Sequence, residues 1–156
     1  MAVSTKKLAV FRLKDEDFAI DITDIITIEK DITLEKAEGF PTNVKGIIHL
    51  RGDIIPVYSL RGKFNIGEKD ADDETRIIIA SSNGIKMAYE VDSLKEIATF
   101  ETAMLMELPS VICSEGTAYL KNIAVLRGAL LLVLDINMIL PEGEHLKIKK
   151  LLDKGQ

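Results

Sequence analysis

Residues 50–57 read LRGDIIPV, and residues 126–133 read LRGALLLV, 76 residues further along the chain. In both stretches an Arg-Gly pair precedes an apolar run, which is typical of a tight turn that leads into a strand. We expect positive φ at Gly52 and Gly128, since glycine adopts that conformation without a clash at Cβ. The two stretches therefore predict two equivalent β-hairpins and an internal repeat.

The repeat continues on the N-terminal side of each hairpin. Residues 18–22 read FAIDI and align with MAYEV at 87–91, 69 residues later. Both have the two-residue period of a half-buried strand. Because the interval grows from 69 to 76, we place a net insertion of seven residues in the stretch 101–116 of the second half. Each half then contains a hairpin, a third strand, an irregular connection and a second hairpin.

Five short strands in each half predict an all-β protein that forms two small closed barrels. A half of about 75 residues is near the size at which one core is marginal, so the barrels should pack side by side. The predicted units are residues 1–73, residues 74–141 and a C-terminal tail at 142–156. The tail is expected to be a helix that packs through Leu146, Ile148, Leu151 and Leu152.

Three local signals refine this arrangement. Ser59 and Asp135 occupy matched repeat positions, and each is a good N-cap for a short helical turn. Pro56 has no N–H to donate, which predicts that its strand lies at a sheet edge or is bulged. The acidic stretch 67–74 is predicted to be a loop that links the halves.

Composition excludes several classes of function. The chain has a net charge of −5, no Trp and 5% aromatic residues, so it lacks the basic and stacking surface of a nucleic-acid binder. The longest apolar run, at 129–134, has six residues, whereas a membrane span needs about 20. We interpret this run as a strand buried on both faces, and we expect a cytoplasmic protein without membrane insertion.

The residues that carry enzyme chemistry are sparse. There is no Gly-x-Gly fingerprint or phosphate-binding loop, and His49 and His145 are the only histidines. Cys113 is the single cysteine and is predicted to be inert and dispensable. We therefore expect no catalytic activity, no metal and no cofactor. The alternative is an enzyme with an unrecognised site, which would need a pocket of converging ionisable residues.

The segment from Val44 to Arg61, VKGIIHLRGDIIPVYSLR, resembles the CheW family of bacterial chemotaxis coupling proteins. The similarity extends from LAVFRL at 8–13 to LLLVLD at 130–135, which is nearly the whole chain. It implies two five-stranded SH3-like barrels and a non-catalytic adaptor or scaffold in a two-component signalling array at the inner face of the membrane. The implied partners are the histidine kinase CheA, through its CheW-like regulatory domain, and the cytoplasmic tips of chemoreceptors. The alternative is a CheW-like scaffold in a motility, surface-sensing or developmental pathway.

The resemblance also implies a receptor-binding groove on the first barrel. The matching positions are Ile25, Ile28, Gly46, Leu50 and Arg51. It assigns no residue to the kinase surface. The same five residues also have a structural interpretation, in which the apolar side chains belong to the core, the glycine meets a backbone requirement and the arginine belongs to the turn.

Three positions depart from the family pattern. Ser59 stands where Asp is usual, and both residues can cap the following turn. His49 replaces a common Asn. Thr27 stands where many members have Glu, within the part of the sequence that matches the groove, so receptor specificity is predicted to differ.

Overall fold

The computed structural model describes residues 3–112 and 117–154. Cys113 lies outside these residues, so the expectation that its thiol is dispensable stays a prediction. Among the described residues, no helix has the length and hydropathy that a membrane crossing requires.

Ten strands and two α-helices make up the described part of the chain. They are β1 (Thr5–Leu13), β2 (Glu16–Asp21), β3 (Ile25–Glu29), β4 (Val44–Leu50), β5 (Asp53–Ser59), α1 (Leu60–Lys63), β6 (Arg76–Ser82), β7 (Ile85–Val91), β8 (Ser93–Glu101), β9 (Leu120–Leu126), β10 (Ala129–Leu134) and α2 (Glu142–Lys154). Short 3₁₀ turns follow β2 and β8 at Ile22–Asp24 and Thr102–Met104, and a third lies at Ser110–Ile112. Five strands in each half and a C-terminal helix confirm the predicted fold class.

The strands form two five-stranded sheets of the same topology. The first sheet has the order β8-β1-β2-β10-β9, and the second has the order β3-β6-β7-β5-β4. Each sheet contains one parallel pair, β2 with β10 in the first and β5 with β7 in the second. The remaining pairs are antiparallel.

The sheets do not follow the two halves of the sequence, and this corrects the predicted units. The β1–β2 hairpin lies within residues 1–73, yet it pairs with β8 and β10 of the second half. The β6–β7 hairpin pairs in return with β3 and β5 of the first half. The units 1–73 and 74–141 therefore mark the sequence repeats, whereas each sheet combines a hairpin from one repeat with three strands from the other.

The two sheets also share their strand register. In the first sheet Val10 lies opposite Glu96, and a bulge separates that pair from the next pair along β1. In the second sheet Ile79 lies opposite Thr27, with a bulge at the same place. Thr27 and Glu96 are therefore structurally equivalent, 69 residues apart.

A large apolar cluster joins the sheets. It contains Phe11 and Phe18 from the first sheet, Tyr58 and Tyr89 from the second, and Ile148 from α2. Each sheet has its own smaller cluster, around Leu8, Val10, Ala19, Phe100, Ala124, Leu131 and Val133 in the first and around Ile48, Ile55, Val57, Ile77, Ile79 and Ala88 in the second. The shared cluster makes the two sheets one packed structure.

Two sets of hydrogen bonds, here called clasps, connect the sheets at equivalent places. In the charged clasp the backbone N–H of Lys14 donates to Asp92 Oδ2 at 2.8 Å, and the Arg61 guanidinium holds the same carboxylate at 2.8 and 2.6 Å. In the neutral clasp the N–H of Asn83 donates to Asn137 Oδ1 at 2.9 Å, and Asn83 Nδ2 donates to the Asn137 carbonyl at 2.7 Å. Lys14 is equivalent to Asn83, and Arg61 to Asn137.

Burial and the charged clasp act in opposite directions on the pKa of Asp92. Burial raises it, whereas the hydrogen bonds from Arg61 and from the Lys14 N–H lower it. The hydrogen bonds outweigh burial, and the pKa of Asp92 lies below its ordinary value.

The N-cap at Ser59 is confirmed, since its hydroxyl oxygen accepts from the Gly62 N–H at 2.9 Å at the start of α1. Asp135 instead caps a single turn, in which its side chain accepts from the Asn137 N–H at 3.0 Å. No helix continues there, and Pro141 has no N–H that could bond to the Asn137 carbonyl in a further turn.

Two further expectations need correction. β5 contains Pro56 and is nevertheless an interior strand, between β4 and β7. Its pairing with β7 begins only at Val57, so the sheet needs no backbone N–H from residue 56. Leu146 is 51% exposed, whereas Ile148 and Leu152 pack against the shared cluster, so the packed face of α2 is narrower than predicted.

Candidate functional site

The two Arg-Gly turns have the same backbone conformation. Arg51 and Gly52 have φ of 50° and 86°, and Arg127 and Gly128 have φ of 50° and 82°. Positive φ at both central residues defines the turn that best matches the twist of a two-residue hairpin. A Cβ at either glycine would have no neighbour within 4 Å, so the glycines are required by the backbone and not by lack of space.

The two arginines have different surroundings. Arg127 forms a two-pronged ion pair with Glu96 on β8, with Nη2 at 2.9 Å from Oε1 and Nη1 against Oε2. This pair lowers the pKa of Glu96 and raises the pKa of Arg127. The Arg51 side chain is exposed and forms no hydrogen bond or ion pair with any residue that the structure describes.

The absence of a partner for Arg51 follows from the residue on β3. Thr27 occupies the position of Glu96, and its Oγ1 donates to Glu29 Oε1 at 3.2 Å. The turn arginine of the first half therefore meets no carboxylate where the second half has one.

The five predicted groove residues lie on the outer strands of the second sheet and in one turn. Ile25 and Ile28, on β3, are partly buried and pack against the cluster shared by the sheets. Leu50, at the end of β4, is also partly buried and packs against the smaller cluster of this sheet. These three side chains contribute to the core, and Arg51 is the exposed member of the set. The groove itself stays a prediction.

Gly46 is buried for a reason within the chain. A Cβ there would lie 2.3 Å from the Glu35 carbonyl oxygen and 3.1 Å from Leu34 Cγ. This close approach allows Glu35 to exchange backbone hydrogen bonds of 2.9 and 2.8 Å with Ile47. The glycine thus permits a strap at residues 34–35 to cover the free edge of β4.

The second half has an equivalent strap. Met106 exchanges backbone hydrogen bonds of 2.8 and 3.0 Å with Ile123 on β9. His49 is exposed on β4, and its Nε2 lies 3.0 Å from Glu35 Oε2 on the first strap.

The faces of the two hairpins differ in chemistry. Val125 and Leu130 lie opposite each other on β9 and β10 and are 52% and 65% exposed. Their equivalents on β4 and β5 are His49 and Ile54. The expectation that 129–134 is buried on both faces is wrong for Ala129 and Leu130, which are both exposed.

Ser59 also connects α1 to the following loop. Its hydroxyl donates to Glu68 Oε1 at 2.7 Å, and Lys45 contacts both Glu68 at 3.6 Å and Glu90 at 2.7 Å. An aspartate at this position could not donate that hydrogen bond. Serine in place of the usual aspartate therefore retains the N-cap and adds a hydrogen bond to Glu68 in the loop.

One cleft has a volume of about 630 Å³ and an aromatic wall formed by Phe18, Phe64 and Tyr119. Lys63 Nζ lies 5.5 Å from the Tyr119 ring centre, and burial lowers the pKa of Lys63. Within residues 3–112 and 117–154, no group of three or more His, Cys, Asp or Glu side chains is arranged to hold a metal ion.

Comparison with known proteins gives consistent matches over most of the chain. Chemotaxis protein CheW of Bacillus subtilis is 29% identical over 135 residues, which cover 86% of each protein. Chemotaxis protein CheW of Thermotoga maritima is 31% identical over 135 residues, covering 85% of each. Chemotaxis protein CheA of Bacillus subtilis is 29% identical over 133 residues, but these form only 18% of that protein.

A solved structure has the same fold. The scaffolding protein TtCheW from Thermoanaerobacter tengcongensis superposes with a TM-score of 0.81 at 29% identity, over 89% of this chain and 94% of that one. The family model described as a CheW-like domain matches residues 7–144. The chain therefore belongs to the CheW-like domain family.

Proposed function

We propose that this protein is a non-catalytic adaptor that couples chemoreceptors to the histidine kinase CheA in chemotaxis arrays. The observation that carries the proposal is the chemical difference between two hairpins of the same geometry. One presents an unpaired arginine, and the other presents an exposed apolar pair. An adaptor must hold two partners at once, so it needs two surfaces that do not compete.

The receptor side is proposed to be the β3 and β4–β5 region. Partly exposed Ile25, Ile28 and Leu50 would contact the apolar face of a receptor helix, as in other helix-in-groove complexes. Arg51 would supply the polar contact at the edge of the groove. The close approach at Gly46 would act indirectly, by holding the strap that borders this region.

The kinase side is proposed to be the β9–β10 hairpin. Val125 and Leu130 form an exposed apolar pair of the kind that anchors protein interfaces. The match to 18% of a CheA chain supports a kinase partner that has a CheW-like domain of its own. Two domains of one fold can pack through related surfaces, and we assign the kinase contact to this hairpin on that basis.

The names of the relatives favour chemotaxis over another motility or developmental pathway.

The proposed adaptor function is tested by binding of the purified protein to a receptor cytoplasmic fragment and to the kinase encoded in the same genome. Arg51→Ala should weaken receptor binding by roughly 3- to 10-fold, as expected for one ion pair, and keep kinase binding, whereas Leu130→Lys should weaken kinase binding and keep receptor binding. Loss of both partners in either variant, or of neither, would overturn the assignment of the surfaces. Binding of the kinase without any chemoreceptor would favour the alternative pathway.

A further inference from the structure

The starting observation is a difference between the two halves at one pair of positions. In the second half, the turn residue Arg127 is held by Glu96. In the first half, the residue equivalent to Arg127 is Arg51, and the residue equivalent to Glu96 is Thr27. The strand register, the neighbouring bulge and the φ of the arginine are the same in both halves, so the difference arises from the side chain on β3.

The carboxylates near this end of the second sheet are also engaged elsewhere. Glu29, on β3, accepts from Thr27. Glu35, on the strap, contacts His49 at 3.0 Å, and Asp53, beside the turn, accepts from Lys86 at 2.7 Å. No described acidic residue therefore pairs with Arg51. Thr27 has no carboxylate of its own, and its hydroxyl orients the carboxylate of Glu29.

We propose that Thr27 determines binding specificity by leaving the Arg51 guanidinium free to form a two-pronged ion pair with an acidic side chain of the receptor. The proposal rests on the proposed function and deepens it by naming the chemistry of the receptor contact. A guanidinium matches a carboxylate in planar geometry and forms two parallel hydrogen bonds with it. An arginine that is already paired within its own chain must first break that pair, which weakens binding.

The structure predicts what a carboxylate at this position would do. Because the register and the turn are the same as in the second half, Thr27→Glu should let Arg51 form the pair that Arg127 forms with Glu96. The arginine would then be withdrawn from the partner. In Thr27→Gln the new side chain is nearly as large as that of Thr27→Glu but carries no charge. Glu96→Thr removes the ion pair with Arg127 from the second half.

The experiment measures the affinity of the full-length protein for a receptor cytoplasmic fragment and for the kinase, at low and high salt. Thr27→Glu should weaken receptor binding by roughly 3- to 10-fold, the range expected for one well-oriented ion pair, and should reduce its salt dependence. Kinase affinity should not change. Thr27→Gln, which lacks the charge, should bind the receptor more tightly than Thr27→Glu does, and Glu96→Thr should leave receptor binding unchanged.

Combining the substitutions separates the proposal from a general disturbance of β3. In an Arg51→Ala background, Thr27→Glu should cause no further loss, because both changes remove the same contact. A full additional loss, or unchanged receptor binding by Thr27→Glu, would overturn the inference and leave the proposed function standing. Failure of the unaltered protein to bind the receptor fragment at low salt would overturn both.

Discussion

The β4–β5 and β9–β10 hairpins have the same turn, the same register and equivalent straps, yet their side chains differ in use. Arg127 is tied to Glu96 beside an exposed apolar pair, whereas Arg51 is unpaired beside His49 and Ile54. The backbone features are shared because the Arg-Gly turn and the strap both depend on main-chain geometry. The outward-facing side chains are free to diverge, since they contribute little to the core. The comparison shows how one duplicated framework can offer two different binding surfaces.

The clasps show the same divergence in the interior. The first uses Arg61 and Asp92, and the second uses the amides of Asn83 and Asn137. Both satisfy the N–H of a hairpin turn and connect the two sheets. They differ in whether that connection depends on charge, and therefore on pH.

The largest effect is expected from separating the halves. A fragment of residues 1–73 would contain β1 and β2 without β8 and β10, with which they pair in the complete chain. Its apolar strands would lack partners, so we expect no cooperative unfolding transition in circular dichroism for this fragment or for 74–156. Mixing the two fragments should restore the transition, because the exchanged hairpins are then supplied in trans. A cooperative transition in either fragment alone would contradict this arrangement.

A smaller effect is expected from adding a side chain under the first strap. Gly46→Val would place Cβ against the Glu35 carbonyl oxygen and should lower the free energy of unfolding by about 2 kcal/mol. Asn122 is the equivalent residue on β9 and already has a side chain, so Asn122→Val is the matched control and should cost less. Urea denaturation of both variants measures the difference. Equal costs would show that the two straps approach their strands alike.

The smallest of the three effects concerns the clasps. Asp92→Asn should lower the free energy of unfolding by about 1–2 kcal/mol at neutral pH, because Arg61 loses its charged partner. The folded pKa of Asp92 is depressed, so its contribution is present above the unfolded pKa of about 3.9 and is lost as pH falls through the folded pKa.

Asn137→Ala is the matched change in the neutral clasp and should cost about 1 kcal/mol at every pH. Unfolding measured from pH 7 to about pH 2, which covers the interval below the unfolded pKa of Asp92, separates the two clasps. The difference between Asp92→Asn and the unaltered protein should shrink toward acid, whereas the difference for Asn137→Ala should stay constant. A loss that is constant with pH for Asp92→Asn would contradict a role for its charge.

Sequence reasoning was most successful where the signal was local. The strand count, the positions of Gly52 and Gly128 in their turns and the cap at Ser59 all follow from periodicity and backbone chemistry. It was least successful where a residue depends on what lies across from it. Pro56 was expected at an edge or a bulge, and Leu130 was expected to be buried. Both were wrong because the neighbours in sequence encode neither the partner strand nor the outward face.

The candidate site also has a part that sequence reasoning predicted and a part that it missed. The alignment of the repeats already related Arg51 to Arg127, and the resemblance to a known family supplied the groove residues. The ion pair between Arg127 and Glu96 was not predicted, since these residues are 31 positions apart and belong to β8 and the β9–β10 turn. The folded structure shows that Thr27 is the equivalent of Glu96, and therefore that Arg51 lacks the carboxylate that Arg127 has.

A duplicated all-β protein with Arg-Gly hairpins can be predicted from the residues alone, because turns and strand periods are set by residues a few positions apart. The exchange of the first two strands between the repeats, and the contrast between unpaired Arg51 and paired Arg127, emerge only in the folded chain. Equivalent strands in a repeat offer the same hydrogen-bonding edges. The choice between pairing within a half and pairing across halves then depends on packing of the whole chain around the shared apolar cluster.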